Sequence, residues 1–410
     1  MELRDYQKEI VRLSVNVLKE HKFVYLAMEV RTGKTLTSLS ISKTLAVSNV
    51  LFITKKKAIS SIQDDYDLLN PDFDITIINY ESLHKIECCP YDVIICDEAH
   101  GMGAYPKPSL RAKLVKSLIK LNKDPYVILL SGTPTPESYS QMYHQIYGHP
   151  NNPFKKYSTF YKFARLYVNI TLRYLHGFNT KDYSDGMIGI VDAMKPYTIS
   201  YTQKEAGYKV KTKENVLKVK MLKSTYSLCK RLKKDLVIQG KDEVILADTG
   251  VKLMSKLHQM YSGTVKFESG KSMVIDSSKA KFIKKRFKDK KIGIFYKFTA
   301  ELKALKEEFG DTLCTELSDF ENTNKNIALQ IVSGREGISL KQADCLVYYN
   351  IDFSATSYWQ SRDRMTTKDR LKNDIYWIFS EGGIEDQIYK AVSKKKDYTL
   401  QHFKRDLLSL

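Results

Sequence analysis

Four hundred and ten residues exceed what one compact core of roughly 100–200 residues holds, so two or three domains are expected. With 43% hydrophobic and 28% charged residues and only 19 Gly and 10 Pro, the chain is globular, neither a disordered polymer nor a fibre. Its 66 Lys and Arg against 47 Asp and Glu leave a net charge of +19, which points to a polyanionic partner, either nucleic acid or an anionic membrane face.

The opening Met1-Glu2-Leu3-Arg4-Asp5-Tyr6 is charged at once, and no stretch approaches the roughly 18 consecutive apolar residues of a membrane span. The cysteines Cys88, Cys89, Cys96, Cys229, Cys314 and Cys345 form no Cys-x-x-Cys pair, so a reduced, cytosolic chain without zinc is expected.

From the N-terminus, short β-branched runs alternate with polar loops and helix-length stretches. The predicted strands are Phe23–Ala27, Val50–Thr54, Ile75–Ile78, Val93–Cys96 and Tyr126–Leu130. The rhythm returns after residue 275 with Ile292–Tyr296, Ile327–Val332, Cys345–Tyr349 and Ile375–Phe379. Alternation of this kind predicts parallel α/β sheets. Between the two lies a Lys- and Tyr-rich segment with helical spacing at Tyr139, Tyr143 and Tyr147. Residues 151–270 hold 22 Lys and Arg against 10 Asp and Glu, a surplus of 12 and most of the excess charge. The expected organisation is an α/β domain over 1–135, a mainly helical basic insertion over 136–275, and a second α/β domain over 276–410.

Three predicted strand ends carry chemistry in the first domain. After the first strand, Met28-Glu-Val-Arg31-Thr32-Gly33-Lys34-Thr35 leads into a helix-compatible stretch. Backbone N–H groups at such a helix start face phosphates, Lys34 supplies a cation, and the Thr35 hydroxyl can ligand Mg²⁺. Read alone, Gly-Lys-Thr equally fits an ordinary helix N-terminus, since Met28 stands where the full loop pattern has Gly. Val93–Cys96 ends in Asp97-Glu98-Ala99-His100, where Asp97 would hold Mg²⁺ and Glu98 would polarise an attacking water. Tyr126–Leu130 ends in Ser131-Gly132-Thr133-Pro134, a small-residue loop that can approach the same crevice.

With these three segments in this order the chain resembles a superfamily 2 helicase or translocase of the Swi/Snf-like branch, most similar to its phage-encoded members. The resemblance runs from about Leu3 to about residue 400 and implies two tandem RecA-like domains that close on ATP. By that resemblance Gln7 in Leu3-Arg-Asp-Tyr-Gln7 contacts the adenine, and Arg31, Thr32, Gly33, Lys34 and Thr35 form the nucleotide loop. Asp97 and Glu98 match motif II, while His100, Ser131 and Thr133 couple nucleotide state to the bound strand.

In the second domain, Ser277-Ser-Lys279 and Phe298-Thr-Ala-Glu301 resemble its opening, and Ser333-Gly334-Arg335-Glu336-Gly337 resembles motif V. Ser333, Gly334 and Arg335 are thereby assigned to a nucleic-acid phosphate and Gly337 to the nucleotide, with Asp344 tethering the arginine motif. Trp359-Gln360-Ser-Arg362-Asp363-Arg364 resembles motif VI, whose two arginines three apart meet the γ-phosphate. Arg364 fits the first position and Gln360 is a coupling residue, but Thr367 occupies the second arginine's place, so Arg364 acts alone, Arg362 or Arg370 substitutes, or hydrolysis is impaired. Gly382-Gly-Ile-Glu385 resembles the closing segment.

The run Lys55-Lys56-Lys57 follows the second strand where the family grips a phosphate backbone, and Asn79-Tyr80-Glu81-Ser82 resembles motif Ib. Most aromatic residues of 139–183 are expected in the core of the insertion, with a minority free to stack on bases. The expected function is an ATP- and Mg²⁺-dependent DNA motor that remodels duplex, forked or four-way-junction DNA. RNA is the less favoured polymer, no membrane partner is expected, and a monomer is favoured. The cytoplasm is the expected location, that of the host cell if the gene belongs to a phage. The alternatives are a strand-separating helicase on DNA or RNA, and a nucleic-acid binding protein with an impaired ATPase.

Overall fold

The structure is a computed structural model and describes residues 2–86, 90–122, 124–175, 178–334, 338–367 and 369–396. Contacts divide the chain into two compact units, the first through Gly207 and the second from Tyr208 to Lys394.

The first unit is built on strands β1 (Phe23–Met28), β2 (Asn49–Thr54), β3 (Asp74–Asn79), β4 (Val93–Cys96) and β5 (Tyr126–Leu130), with Thr198–Tyr201 as a sixth. Their order is β3-β2-β4-β5-β1 followed by Thr198–Tyr201, and every pairing is parallel. Parallel strands need both faces covered, and alternate residues here serve two cores. Helices α1 (Asp5–His21), α2 (Lys34–Thr44) and α3 (Ile59–Leu69) cover one face, where Ile10, Val11, Val15 and Leu18 of α1 meet Val24, Leu26 and Phe52. Helix α4 (Leu110–Leu121) covers the other with Tyr143, Phe154, Phe160 and Phe163, packed on Phe23, Tyr25 and Ile94.

The second unit repeats the plan. Its all-parallel sheet runs Leu313–Cys314, Asn326–Gln330, Ile292–Tyr296, Cys345–Tyr348, Lys372–Ser380 and Lys211–Val219 in spatial order. A smaller cluster around Cys229, Leu232, Leu257 and Met260 joins helices Lys223–Asp235 and Gly250–Tyr261 to two short hairpins. The fold is thus two parallel α/β units of the expected class. No helix among the described residues is long and apolar enough to cross a membrane.

The segment 136–275, expected as a separate helical insertion, is not a separate body. Its first part, including the aromatic layer, belongs to the first unit and its remainder to the second. It also supplies an outer strand to each sheet: Thr198–Tyr201 pairs with β1, and Lys211–Val219 pairs along its whole length with Lys372–Ser380. The strand expected to reach Val332 stops at Gln330, because Ile331 turns into a short helix and buries its side chain there.

A fully buried ion pair ties the two ends of the second unit together. Lys279 Nζ donates to Glu385 Oε1 at 2.8 Å and to Tyr349 O at 3.3 Å, and Ser380 Oγ donates to the same carboxylate oxygen at 2.8 Å. Burial alone would raise the Glu385 pKa, but Lys279 outweighs it and holds the carboxyl below its ordinary value. Removing one partner strands the other charge, so Glu385→Gln is expected to cost about 3 kcal/mol, whereas Lys279→Met with Glu385→Leu recovers most of it. Both tryptophans, Trp359 and Trp377, lie in this unit, so their fluorescence during urea unfolding reads its stability.

His258 is buried between the Phe298 and Phe353 rings and donates from Nε2 to Asn350 Oδ1 at 2.6 Å, leaving Nδ1 without a partner. Burial, then the Lys297 charge, pushes its pKa down to about 4. The folded imidazole therefore stays neutral while the unfolded one takes a proton near pH 6.5. Above that pH the group has no effect. Between pH 6.5 and 4 the second unit is expected to lose up to about 3 kcal/mol, and His258→Leu should flatten that slope in the same unfolding assay.

Candidate active site

The turn from β1 into α2 forms the first part of the site. Arg31 and Gly33 both have positive φ, 64° and 80°, which curls residues Glu29–Gly33 back over the helix start. A Cβ at Gly33 would come within 2.5 Å of Gln7 Nε2 and displace that amide, and the φ of 80° strains any other residue there. Lys34 opens the helix and turns its Nζ towards Glu29 O at 3.3 Å, across the mouth of the loop. Thr32 donates from Oγ1 to Glu29 O at 2.7 Å, while the first-turn amides of α2 lack intrahelical acceptors, as at any helix start. Gln7 is 4% exposed and directs Nε2 to Gly33 O and Thr37 Oγ1. It braces the loop from α1.

The loop is pinned by groups that the sequence reading did not single out. Glu29 accepts from Gln203 N at 2.7 Å, and Gln203 Nε2 donates to Val30 O at 3.0 Å. Tyr6 stacks on Tyr201 with ring centroids 4.5 Å apart and donates its hydroxyl to Thr32 O. Nothing local marks Gln203, because its partners are more than 170 positions away.

At the end of β4, Asp97 and Glu98 sit side by side and half-buried. Asp97 accepts from Thr54 Oγ1 at 2.9 Å, and its backbone is held by Tyr80 OH at 2.7 Å. Burial and the adjacent Glu98 charge push the Asp97 carboxyl above its ordinary range, with Lys34 pulling the other way. Burial would raise Glu98 as well, but His100, Lys34 and Lys55 outweigh it and keep Glu98 ionised. Glu98 sits at φ 49°, a left-handed conformation that costs a non-glycine residue on the order of 1 kcal/mol.

His100 Nδ1 lies 3.2 Å from Glu98 Oε2 and 2.9 Å from Ser131 Oγ, and Ser131 Oγ accepts from Thr133 N at 3.1 Å. The carboxylate is thereby wired to the loop after β5. That loop also touches the nucleotide loop: a Cβ on Gly132 would lie 3.4 Å from Met28 O and from Val30 N. Gln145 steadies it from beneath by donating to Pro134 O while accepting from Tyr25 OH. Lys34, Thr35, Asp97, Glu98, His100, Ser131 and Thr133 thus belong to three neighbouring strand ends of one sheet. A helix start with a lysine, beside a half-buried pair of carboxylates, can hold a phosphate and a divalent ion.

Other expected residues lie elsewhere. Lys55 is half-buried and acts on Glu98, while Lys56 and Lys57 are exposed on a short turn. Tyr80, expected at nucleic acid, is 2% exposed and spends its hydroxyl on Asp97 O, because its ring belongs to the core under β4. In the second unit, Ser333 and Gly334 end the short helix Ile331–Gly334, whereas Arg335 and Gly337 lie outside the described residues.

Gln360 is buried on helix Ala355–Arg362. Arg364 is 8% exposed and donates to Gln360 O and Ile338 O. Asp344 does not tether an arginine with its carboxylate: Oδ2 accepts from Lys291 N, since the residue starts a strand at the N-terminal edge of the sheet. Neither substitute arginine is uncommitted. Arg370 donates to the backbone carbonyls of Lys341, Asp344 and Lys372, and Arg362 pairs with Glu214. Glu214, from the unexpected outer strand, also accepts from Tyr358, Trp377 and Tyr389.

Comparison with known proteins adds the family. The model for the SNF2-related domain matches residues 49–282, and that for the res subunit of type III restriction enzymes matches residues 1–72. Among solved structures, the SWI2/SNF2 ATPase core of Sulfolobus solfataricus is similar at 16% identity and a TM-score of 0.44, over 98% of this chain and 90% of that one. The same core in complex with dsDNA gives 16% identity and a TM-score of 0.42 over 97% and 92%. No curated protein matches the chain. With more than half of its length under the SNF2-related model, the chain belongs to the SNF2-related family of helicase-like, nucleic-acid-dependent ATPases.

Proposed function

We propose that the protein is a Mg²⁺-dependent DNA translocase that spends ATP to remodel duplex or branched DNA, with replication forks and four-way junctions as its substrates. The observation that carries this reading is the convergence of Lys34, Asp97 and Glu98 with the His100–Ser131 connection at three strand ends. The net charge of +19 and the exposed Lys56 and Lys57 support a phosphate backbone as the polymer. The resemblance of its motifs to phage-encoded members supports DNA remodelling in their style, with the host cytoplasm as its place of work.

In this reading Gln7 faces the adenine, and Arg31, Thr32, Gly33, Lys34 and Thr35 cradle the phosphates. Thr35 and Asp97 hold Mg²⁺, whose role when bound is to neutralise charge on the phosphate oxygens. The fit rests on the donor set: a half-buried carboxylate raised by its charged neighbour is a group that a dication returns to the ionised form. Glu98, kept ionised by His100, accepts the hydrogen of the attacking water. His100 then reports the state of Glu98 through Ser131 to Thr133.

Arg364 supplies the guanidinium to the developing charge, with Gly337 at the nucleotide. Lys55, Lys56, Lys57, Ser333, Gly334 and Arg335 are assigned to the nucleic-acid backbone, and Gln360 to the support of the arginine segment.

ATP turnover measured without polymer, with single strands, with duplex and with a four-way junction decides the matter. Stimulation by duplex or junction is expected; turnover indifferent to all four conditions removes the motor, and no turnover in any leaves a binding protein. Lys34→Ala and Glu98→Gln are each expected to lower turnover by about 10²-fold or more. Arg364→Ala should cost about 10³-fold and Thr367→Ala almost nothing; near-normal turnover in the Arg364 variant would assign the charge to another group.

A further inference from the structure

The first unit has a second concave site, at the opposite edge of its sheet. The nucleotide loop follows the C-terminal end of β1, whereas this pocket opens beside Asp124 and Pro125, where β5 begins. It encloses about 510 Å³ between the C-terminal half of α4 and the segment 143–158, within the range of small-molecule sites.

Three ammonium groups line it: Lys116 and Lys120, one turn apart on α4, and Lys155 from the facing segment. None of the three has a carboxylate within ion-pair distance among the described residues. Lys116 rests its Nζ 3.4 Å above the Tyr147 ring instead. The single lining carboxylate, Asp124, is already answered by Lys22 at 3.1 Å. His149 adds no charge, because burial pushes it down to about 4 and its Nδ1 already accepts from Asn151 N.

A neighbouring hollow of about 620 Å³ shares Asp124 and Pro125, yet it has no Lys or Arg among its described lining residues. Its Asp92 carboxylate is spent on Ser48 N and Asn49 N. Charge therefore selects the first pocket. Lysine ammonium groups bind phosphate as point charges, and three of them with no counter-ion favour a doubly charged group over a single carboxylate. Phosphate alone would leave most of the volume empty, and Tyr143, Tyr147 and Tyr157 stand in the remaining wall beside Ile119, Pro150 and Phe154.

We propose that this pocket binds a nucleotide through its phosphate, with the ring against the tyrosine wall, as a site separate from the Lys34 loop. The nucleotide comes either free or as the 5′-phosphorylated end of a nucleic-acid strand.

Lysine acetylation of the full chain, read residue by residue by mass spectrometry, tests it with AMP, a 5′-phosphorylated dinucleotide and inorganic phosphate as probes. AMP or the dinucleotide is expected to protect Lys116, Lys120 and Lys155 together with one half-saturation concentration. Lys116→Ala with Lys120→Ala should weaken protection of Lys155 by about tenfold or more, with the thermal transition unchanged. Inorganic phosphate should need a far higher concentration than the nucleotides. The better of the two nucleotide probes identifies the source. Protection by no probe, protection by phosphate as good as by either nucleotide, or unequal half-saturation among the three lysines overturns the proposal. Because Lys34 is followed in the same spectra, binding at the nucleotide loop is read independently.

Discussion

Two carboxylates on consecutive residues, half-buried at the end of a strand, are the constraint around which the first unit is arranged. Like charges at that spacing in a low-dielectric setting cannot both persist without compensation. Burial and Glu98 drive Asp97 towards its neutral form, and His100, Lys34 and Lys55 hold Glu98 charged. The surroundings thus separate two chemically similar groups into two roles. In the proposed reaction these states suit Asp97 to a cation and Glu98 to the attacking water. The strained Glu98 backbone, the buried Tyr80 hydroxyl and the Thr54 hydrogen bond all serve to keep the pair where this imbalance holds.

Much of this was legible in the sequence because it is local. β-branched runs bounded by loops mark strands wherever both faces are buried, and the loop residues at their ends follow directly. What failed was non-local. Lys211–Val219 opens with five polar residues and has only Val216, Leu217 and Val219 apolar, so it lacks the apolar run of the inner strands, and its partner lies about 160 positions downstream. No window of sequence contains both. Thr198–Tyr201 is only four residues long, too short to announce itself. Hence an insertion was expected where the chain in fact completes two sheets.

The same distinction separates the site residues that resemblance placed well from those it did not. Resemblance locates a loop, whereas burial and hydrogen bonding decide what each side chain in it does. Tyr80 stands in the expected loop, yet its ring lies in the core and its hydroxyl supports motif II. Asp344 precedes the expected strand, yet its carboxylate caps Lys291 N. Glu214 was invisible because its importance comes from four partners that converge on it from three other elements. A half-buried carboxylate with that many donors fixes helix Ala355–Arg362, and with it the segment that carries Arg364.

Arg364 illustrates how such a framework can favour one arginine. All three candidates are engaged, but with different partners. Arg362 faces a carboxylate, so its release would leave Glu214 charged and short of a donor, which costs several kcal/mol in a buried setting. Arg370 would give up three carbonyls at the start of two strands. Arg364 donates to the neutral carbonyls of Gln360 and Ile338. A phosphate oxygen is a stronger acceptor than a carbonyl, because the hydrogen bond is charge-assisted on both sides. A ligand shifts a side chain only by its differential affinity for the two positions, and a carbonyl left behind is neutral whereas Glu214 left behind is a charge. With Thr367 in place of a second arginine, the role proposed for Arg364 is the one that takes neither the charged partner from Glu214 nor three carbonyl contacts from Arg370.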